Sequence, residues 1–442
     1  MHPALEQQLI SLRREFHKYP EPGWCEFRTT ARIIQELTDA GIPVRWGKEL
    51  HSGDNMPGLP REHVLEQAWQ RAAEQTGLQD LLLPMKGGYT GCIAEIQGAF
   101  PGKTTVLRVD IDACELEECK DASHIPARLG FASSDPRCMH ACGHDAHAAI
   151  GIGAAKLLWQ QKDELHGKVY VLFQPAEEGL RGAASMCKAG LLQGCDILIG
   201  LHVGLRDLPV GTVAASCTSF LSSTKLDAVF HGKAAHAGLC PELGRNALAA
   251  GAKAVLDLLA LPEKYDGLCR VNVGTFHGGS GRNVIPAEAR LAIETRSDRP
   301  EQNARLETDV RSICAAAAAA YGCRAEILPM GGANGAECDA SLAAAVAEIL
   351  SDMPQVSRVL PSVSFGGSED ITTMMRTVQQ HGGKAAELLI GMPLTAPHHS
   401  ADFDTDEKVI PLGAEIFVRL ATVLGHFDKT QTQPLEGEPR HA

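Results

Sequence analysis

The sequence predicts an α/β fold: an αβα domain around a central mixed sheet, interrupted by an inserted α+β domain of ferredoxin-like order. Three observations predict it. Short apolar, β-branched runs at 104–113, 168–178 and 195–204 alternate with helix-like stretches, as parallel βαβ units do. Between 213 and 330 the rhythm becomes strand, helix, strand, strand, helix, strand, a complete small domain with its own sheet. At 442 residues the chain exceeds what one core usually serves, so two are expected.

Residues 4–19 place Leu5, Leu9, Leu12 and Phe16 on one stripe behind Pro3, which reads as an amphipathic helix. A second helix runs from Arg28 to Gly41, and the segment 47–88 is an elaboration with one helix, Glu62–Thr76, among Gly- and Pro-rich turns. The first strand run carries Asp110 and Asp112 at its end, the second Glu177 and Glu178, the third His202. Open α/β sheets bind ligands at the carboxyl ends of their strands, so these five side chains should converge. In "MHACGHDAHAAIG" (139–151), Cys142 and His144 are two apart, the spacing for one side of an extended segment. Asp145 is the expected N-cap of the helix that follows, whose small residues suit close packing on the sheet.

Inside the insertion, helices are expected at 246–261 and 300–321 and strands at 269–279, 289–297 and 323–330; the alanines at 315–320 are simply strong helix formers. The first domain, begun over 1–212, resumes over 331–428 with helices near 340–351, 369–380 and 406–426 and a strand at 385–392. Residues 429–442 read as a polar tail.

A formal charge of −13 argues against a nucleic-acid or anionic-membrane partner and leaves a small molecule as the default ligand. No apolar run approaches the roughly 18 residues of a membrane span, and the charged N-terminus lacks a secretory pattern, so the cytoplasm is expected. The 14 cysteines contain no CxxC pair, which counts against a thiol redox function. Most read as small buried hydrophobes, with Cys142 the exception.

CGH alone is a weak signal, but "PAEE" after one strand and "LHV" in another change its weight. Two adjacent carboxylates at a strand end repel each other, and a cation removes that penalty. Sulfur, imidazole and carboxylate together favour Zn, Mn, Co or Fe over Mg or Ca. With His398 or His399 from "APHHSADFD" the ligand count reaches five, too many for one tetrahedral catalytic ion and better suited to two. One glutamate is then free to act as a base.

The collinear segments "RREFHKYPEPGWCEFRTT", "RVDIDA", "MHACGHDAHAAIGIGAA", "LFQPAEEG", "GLHV", "GKAAHAG", "GRNVIPAEARLAIETR", "GSED" and "HHSADFDTDE" resemble the dinuclear-metal amidohydrolases of the aminoacylase and carboxypeptidase group. That group includes hippurate hydrolases and indole-3-acetyl amino acid hydrolases. The resemblance implies two divalent transition ions per chain, Mn or Zn with Co tolerated, held by Cys142 as a bridge, His144, Glu178, His202 and His399. It implies Glu177 as general base and later proton donor, and Asp112 as the aspartate that orients a ligand; Asp110 stands where relatives have a histidine and is left outside the ligand set. His236 resembles a histidine that reaches into the partner subunit's site to polarise the scissile carbonyl, and Asn283 and Arg296 resemble groups that bind the substrate carboxylate. The insertion resembles a lid and dimerisation domain, implying a homodimer or a heteromer with a related chain. The implied reaction is hydrolysis of an N-acyl amino acid by metal-activated water, with p-aminobenzoyl-glutamate the first substrate and indole-3-acetyl-aspartate the alternative. A non-catalytic metal-binding subunit is the reading from another class. His140, His147 and His398 are read as packing residues, His17, Glu21 and Glu26 as structural, and "GGSED" as a turn in which Ser368 or Glu369 caps a helix.

Overall fold

The computed structural model describes residues 1–426, so the tail expected at 429–442 lies outside the described residues. The chain begins with α1 (Pro3–Lys18), α2 (Phe27–Asp39), β1 (Val44–Trp46), α3 (Glu62–Thr76), α4 (Gln79–Leu82), β2 (Cys92–Gln97) and β3 (Phe100–Asp110). It continues with α5 (Ile125–Leu129), α6 (His144–Gln160), β4 (His166–Gln174), α7 (Gly182–Lys188), β5 (Ile197–Asp207), β6 (Thr212–Ala214) and β7 (Cys217–Thr218). Then come β8 (Ser222–His231), α8 (Ala247–Leu259), β9 (Cys269–Gly278), β10 (Glu288–Ser297), α9 (Pro300–Ala320) and β11 (Arg324–Ala333). The last are α10 (Ala340–Ser351), β12 (Arg358–Leu360), β13 (Val363–Ser364), α11 (Ile371–Gln380), β14 (Lys384–Met392) and α12 (Val409–Leu424).

The larger sheet has eight strands in the order β1-β2-β4-β3-β5-β14-β6-β12 and is mixed, with a parallel centre of β4, β3, β5 and β14. Its central strands are buried on both faces, which is why they read as continuous apolar runs rather than alternating ones. Helix α6 lies directly on them, where a Cβ at Gly151 would meet Phe173 Cε1 of β4 at 2.6 Å, and packs as closely on α1, where one at Gly153 would meet Leu9 Cδ1 at 2.6 Å. The small residues of α6 are what allow that approach.

The second sheet is antiparallel, in the order β11-β8-β10-β9. With α8 and α9 it gives the β-α-β-β-α-β succession and encloses its own core around Leu226, Phe230, Leu291, Leu306 and Val310. Its last strand continues to Ala333, beyond the expected end at 330.

One local expectation fails. Asp145 is not the N-cap of α6, because Gly143 takes that position in a left-handed conformation (φ 89°) and the helix already begins at His144. Asp145 Oδ2 instead accepts from Arg13 Nε and His17 Nδ1, each at 2.8 Å, tying α6 to α1.

The 47–88 segment is anchored by His51, whose Nε2 donates to Thr90 O at 2.7 Å while Nδ1 faces Ser185 Oγ at 3.3 Å. Burial holds this imidazole down at about 4, against a smaller upward pull from Thr90. The folded ring is therefore neutral where an unfolded one, titrating near about 6.5, takes up a proton. Its contribution is complete above about pH 6.5 and is lost as the pH falls toward 4. His51→Gln is expected to remove about 3 kcal/mol of acid-side pH dependence, read as a flatter curve of Tm against pH over that window.

Candidate metal centre

Strand register sets the site. Asp110 pairs with Gln174 on one side of β3, and Arg108 pairs with Gly200 on the other, so Asp110, the turn after β4 and His202 reach one level. That turn is held in an unusual shape: Ala176 and Leu180, flanking the two glutamates, both have φ 56°. Non-glycine residues adopt that region at a cost and need surrounding support. Here Glu26 Oε1 accepts from Ala176 N at 2.7 Å, and the Asp112 carboxylate accepts from Glu177 N at 2.9 Å and Glu178 N at 3.0 Å.

The ligand candidates converge from four parts of the chain. His144 Nδ1 donates to Asp112 O at 2.9 Å, and its buried Nε2 has no hydrogen-bond partner among the described residues, lying 3.7 Å from Asp110 Oδ1 and 4.0 Å from Glu178 Oε1. His202 Nδ1 faces Val203 O at 2.9 Å; a carbonyl can only accept, so this nitrogen carries the proton and Nε2 offers its lone pair 3.5 Å from Cys142 Sγ. Glu178 Oε2 is 3.3 Å from His399 Nε2, and Cys114 Sγ donates to Oε1 at 2.9 Å. His399 itself has φ 60° and is fixed by its N–H to Ala141 O at 2.8 Å.

Within the described residues, ligand atoms lie within 4.8 Å of one another in the groups Cys142, His144, His202; Asp110, His144, His147; Cys114, Glu178, His399; and His144, Glu177, Glu178. The structure thus brings together all five expected ligands and the expected base. It also draws in His147, read from the sequence as a packing residue, beside Asp110, which was expected at the site but outside the ligand set: His147 Nδ1 is 2.5 Å from Asp110 Oδ1, and its Nε2 accepts from Val203 N at 3.1 Å. His398 packs against the rings of His202 and Phe403, as expected of a supporting residue.

The electrostatics call for a cation. Burial, then the charges of Glu369, Glu178 and Asp370, push Glu177 well above the usual carboxylate range. Burial and the charge of Glu178 likewise push the Cys142 thiol up. At His144 burial acts downward, yet Asp110, Asp112 and Glu178 hold the imidazole up at about 10. An acidic, enclosed field beside an unpartnered imidazole nitrogen, a thiol and further imidazoles fits transition ions in both charge and donor type.

Beneath the cluster lies Arg108, fully buried on β3. Its guanidinium bonds Asp110 Oδ2 (2.8 Å), Glu369 Oε1 (3.0 Å), Asp370 Oδ1 (3.1 Å) and Gln174 Oε1 (2.8 Å). "GSED" does not cap the helix through Ser368 or Glu369 as expected: Asp370 is the N-cap of α11, without a side-chain capping bond, and Glu369, which accepts from Ile371 N at 3.2 Å, binds Arg108. Arg108, Cys114 and Glu26 were missed as site-building residues. A charged residue inside an apolar strand run was the one visible signal, for Arg108.

Above the cluster a cavity of about 520 Å³ opens, lined by Glu178, His399, Cys114, Arg181, Lys225 and Arg296, with Pro60 and Val64 from the 47–88 segment. Arg296 is on this wall as expected, its guanidinium bonded to both oxygens of Glu294 at 3.0 Å. His236 and Asn283 do not line it. His236 is exposed on the second domain, its Nδ1 accepting from Gly238 N and Leu239 N at 3.1 Å, and Asn283 O accepts from Ala237 N nearby.

Residues 106–423 match the model of Peptidase family M20/M25/M40. The chain belongs to this family. Among M20-type relatives it is 41% identical over 409 residues to indole-3-acetyl-aspartic acid hydrolase of Enterobacter agglomerans, spanning 92% of this chain and 94% of that one. It is also 41% identical over 419 residues to a p-aminobenzoyl-glutamate hydrolase subunit of Escherichia coli (strain K12), spanning 95% and 96%. Its structure superposes on the aminobenzoyl-glutamate utilization protein from Klebsiella pneumoniae with a TM-score of 0.81 at 34% identity, over 95% and 96% of the two chains. The YXEP protein of Bacillus subtilis, a dinuclear metal binding peptidase of family M20, gives 0.64 at 26% identity over 96% and 99%. The chain is accordingly an amide-bond hydrolase built of a catalytic and a lid domain, with clustered metal-binding side chains.

Proposed function

We propose that this M20 hydrolase cleaves an N-acyl amino acid, p-aminobenzoyl-glutamate foremost, to p-aminobenzoate and glutamate. The observation that carries the reading is the convergence of Cys142, His144, Glu178, His202 and His399 around a buried Glu177, with His144 Nε2 left unpartnered. Cys142, His144, Glu178, His202 and His399 would hold two divalent ions, Mn or Zn. When bound, such ions polarise the amide carbonyl and acidify water. Glu177 takes the proton of the attacking water and returns it to the leaving amine. Asp112 orients the machinery by fixing His144 and the backbone of both glutamates. The two 41% identical relatives support the substrate class, since their names specify acyl derivatives of aspartate and glutamate.

The same reading places residues 213–330 in the lid and 1–212 with 331–428 in the catalytic domain. The lid pairs two copies, so that His236 and Asn283, exposed on their own chain, serve the partner's site and complete with Arg296 the grip on the substrate. Pairing with a related chain instead is favoured by the Escherichia coli relative, which is named as one subunit of its hydrolase. Fourteen free thiols suit the cytoplasm.

Purified protein, stripped and reloaded separately with Mn and Zn, tests the reading against p-aminobenzoyl-glutamate and indole-3-acetyl-aspartate. Close to two ions per chain and faster release of p-aminobenzoate are expected. Faster cleavage of the indole substrate would exchange the two substrates, and a metal-loaded protein inert to both would overturn the function.

A further inference from the structure

We infer that Arg181, assisted by Lys225, forms the subsite for a second substrate carboxylate and selects acyl derivatives of acidic amino acids over neutral ones. The inference rests on the N-acyl amino acid reading and names the half of the substrate that reading leaves open.

Arg181 is three residues beyond Glu178, immediately after the turn bracketed by Ala176 and Leu180. Its position is fixed from three directions. Its own N–H donates to Ala176 O at 3.1 Å, Nη1 donates to Gly58 O at 3.3 Å, and Gly332 N of the lid strand β11 donates to Leu180 O at 2.9 Å. The 47–88 segment crowds the same side chain: a Cβ on Gly58 would come within 2.8 Å of Arg181 Nε. The guanidinium nevertheless stays poorly satisfied. Nε is buried with no hydrogen-bond partner, and no carboxylate pairs with Arg181 among the described residues. A half-buried guanidinium whose one side-chain acceptor is a long backbone contact is costly to leave so, and a carboxylate is the partner that matches its remaining donors.

Lys225 faces the same cavity from the first lid strand, β8. Its Nζ donates to Glu178 O at 2.8 Å and likewise has no carboxylate partner among the described residues, leaving two donors for a ligand. Arg296 differs, because Glu294 already balances its charge through Nε and Nη2, with Nη1 bonding neither Glu294 oxygen. The cavity thus offers two uncompensated cationic groups on a wall that Glu178 and His399 share. Glu115, exposed on the same wall, leaves an opposite charge near the mouth. An amide of a neutral amino acid brings one carboxylate, already assigned to Arg296 and Asn283. An acyl-aspartate or acyl-glutamate brings a second.

The test compares p-aminobenzoyl-glutamate with p-aminobenzoyl-glutamine, equal in shape and different in charge, on the metal-loaded enzyme and on Arg181→Met, Arg181→Lys and Lys225→Met. The wild type should favour the glutamate substrate by about 100-fold in kcat/KM, the size of one or two charged hydrogen bonds. Arg181→Met should shrink that ratio at least about tenfold, mainly through KM; Arg181→Lys should restore part of it, and Lys225→Met should shrink it less. If Arg181→Met does not fold, a reduced ratio in Lys225→Met carries the same test. A wild type that cleaves both substrates equally, or an Arg181→Met that keeps the full ratio, overturns the subsite and leaves the hydrolase reading standing. A wild type that cleaves neither removes the hydrolase reading and the subsite with it.

Discussion

Glu177→Gln is expected to bind metal at the wild-type level and to lose about 10²- to 10⁴-fold in kcat, the range of a positioned general base and acid. Metal content should survive because the substitution leaves the ligand candidates in place. The two bonds from Asp112 go to the backbone N–H of Glu177 and Glu178 and do not involve the Glu177 carboxylate. Glutamine keeps the shape of the buried side chain and cannot accept the proton. Metal analysis together with initial rates on p-aminobenzoyl-glutamate separates the two effects. Near wild-type kcat in a fully loaded Glu177→Gln protein would remove the proton-shuttling role.

Arg108→Met should cost about 3–5 kcal/mol of stability, as breaking a buried ion pair by removing one partner does. Arg108 faces Asp110, Glu369 and Asp370, all buried, and methionine fills its volume with nothing to offset three carboxyl groups. Glu387, also fully buried and with neither oxygen hydrogen-bonded among the described residues, would feel the loss of the same positive charge. Arg108→Lys should recover only part, because an ammonium cannot span four acceptors as the planar fork does. Urea unfolding midpoints measure both variants. An unchanged midpoint for Arg108→Met would show that these carboxyl groups are protonated and need no cation.

What was legible in the sequence follows from the range of the forces involved. Strand runs, the order of the inserted domain and the helix starting near 144 are local signals of periodicity and propensity, and they appear within a few residues of their expected places. The convergence of Asp110, Asp112, Glu177, Glu178 and His202 also follows, since parallel topology alone aligns strand ends. The Asp145 cap failed because the left-handed Gly143 starts the helix earlier and an ion pair with Arg13, 132 residues away, outweighs capping. The Arg108 network joins residues up to 262 apart, and Cys114 reaches Glu178 across 64. No spacing rule links such positions before the chain has folded. Nor does a local signal join Asp110 to His147, 37 residues on, although their mutual contact is what gives each its place.

Strand β5, which carries His202, borders β3 on one side and β14 on the other. Its second neighbour, residues 384–392, is synthesised nearly two hundred residues later, after the whole lid. Until then a growing polypeptide displays a long, largely apolar strand with bare amide groups along one flank, a template for unwanted association. Since His399 follows soon after β14, the candidate metal-binding cluster and the closing of that flank are completed by the same late stretch of chain, and early fragments should depend on chaperones.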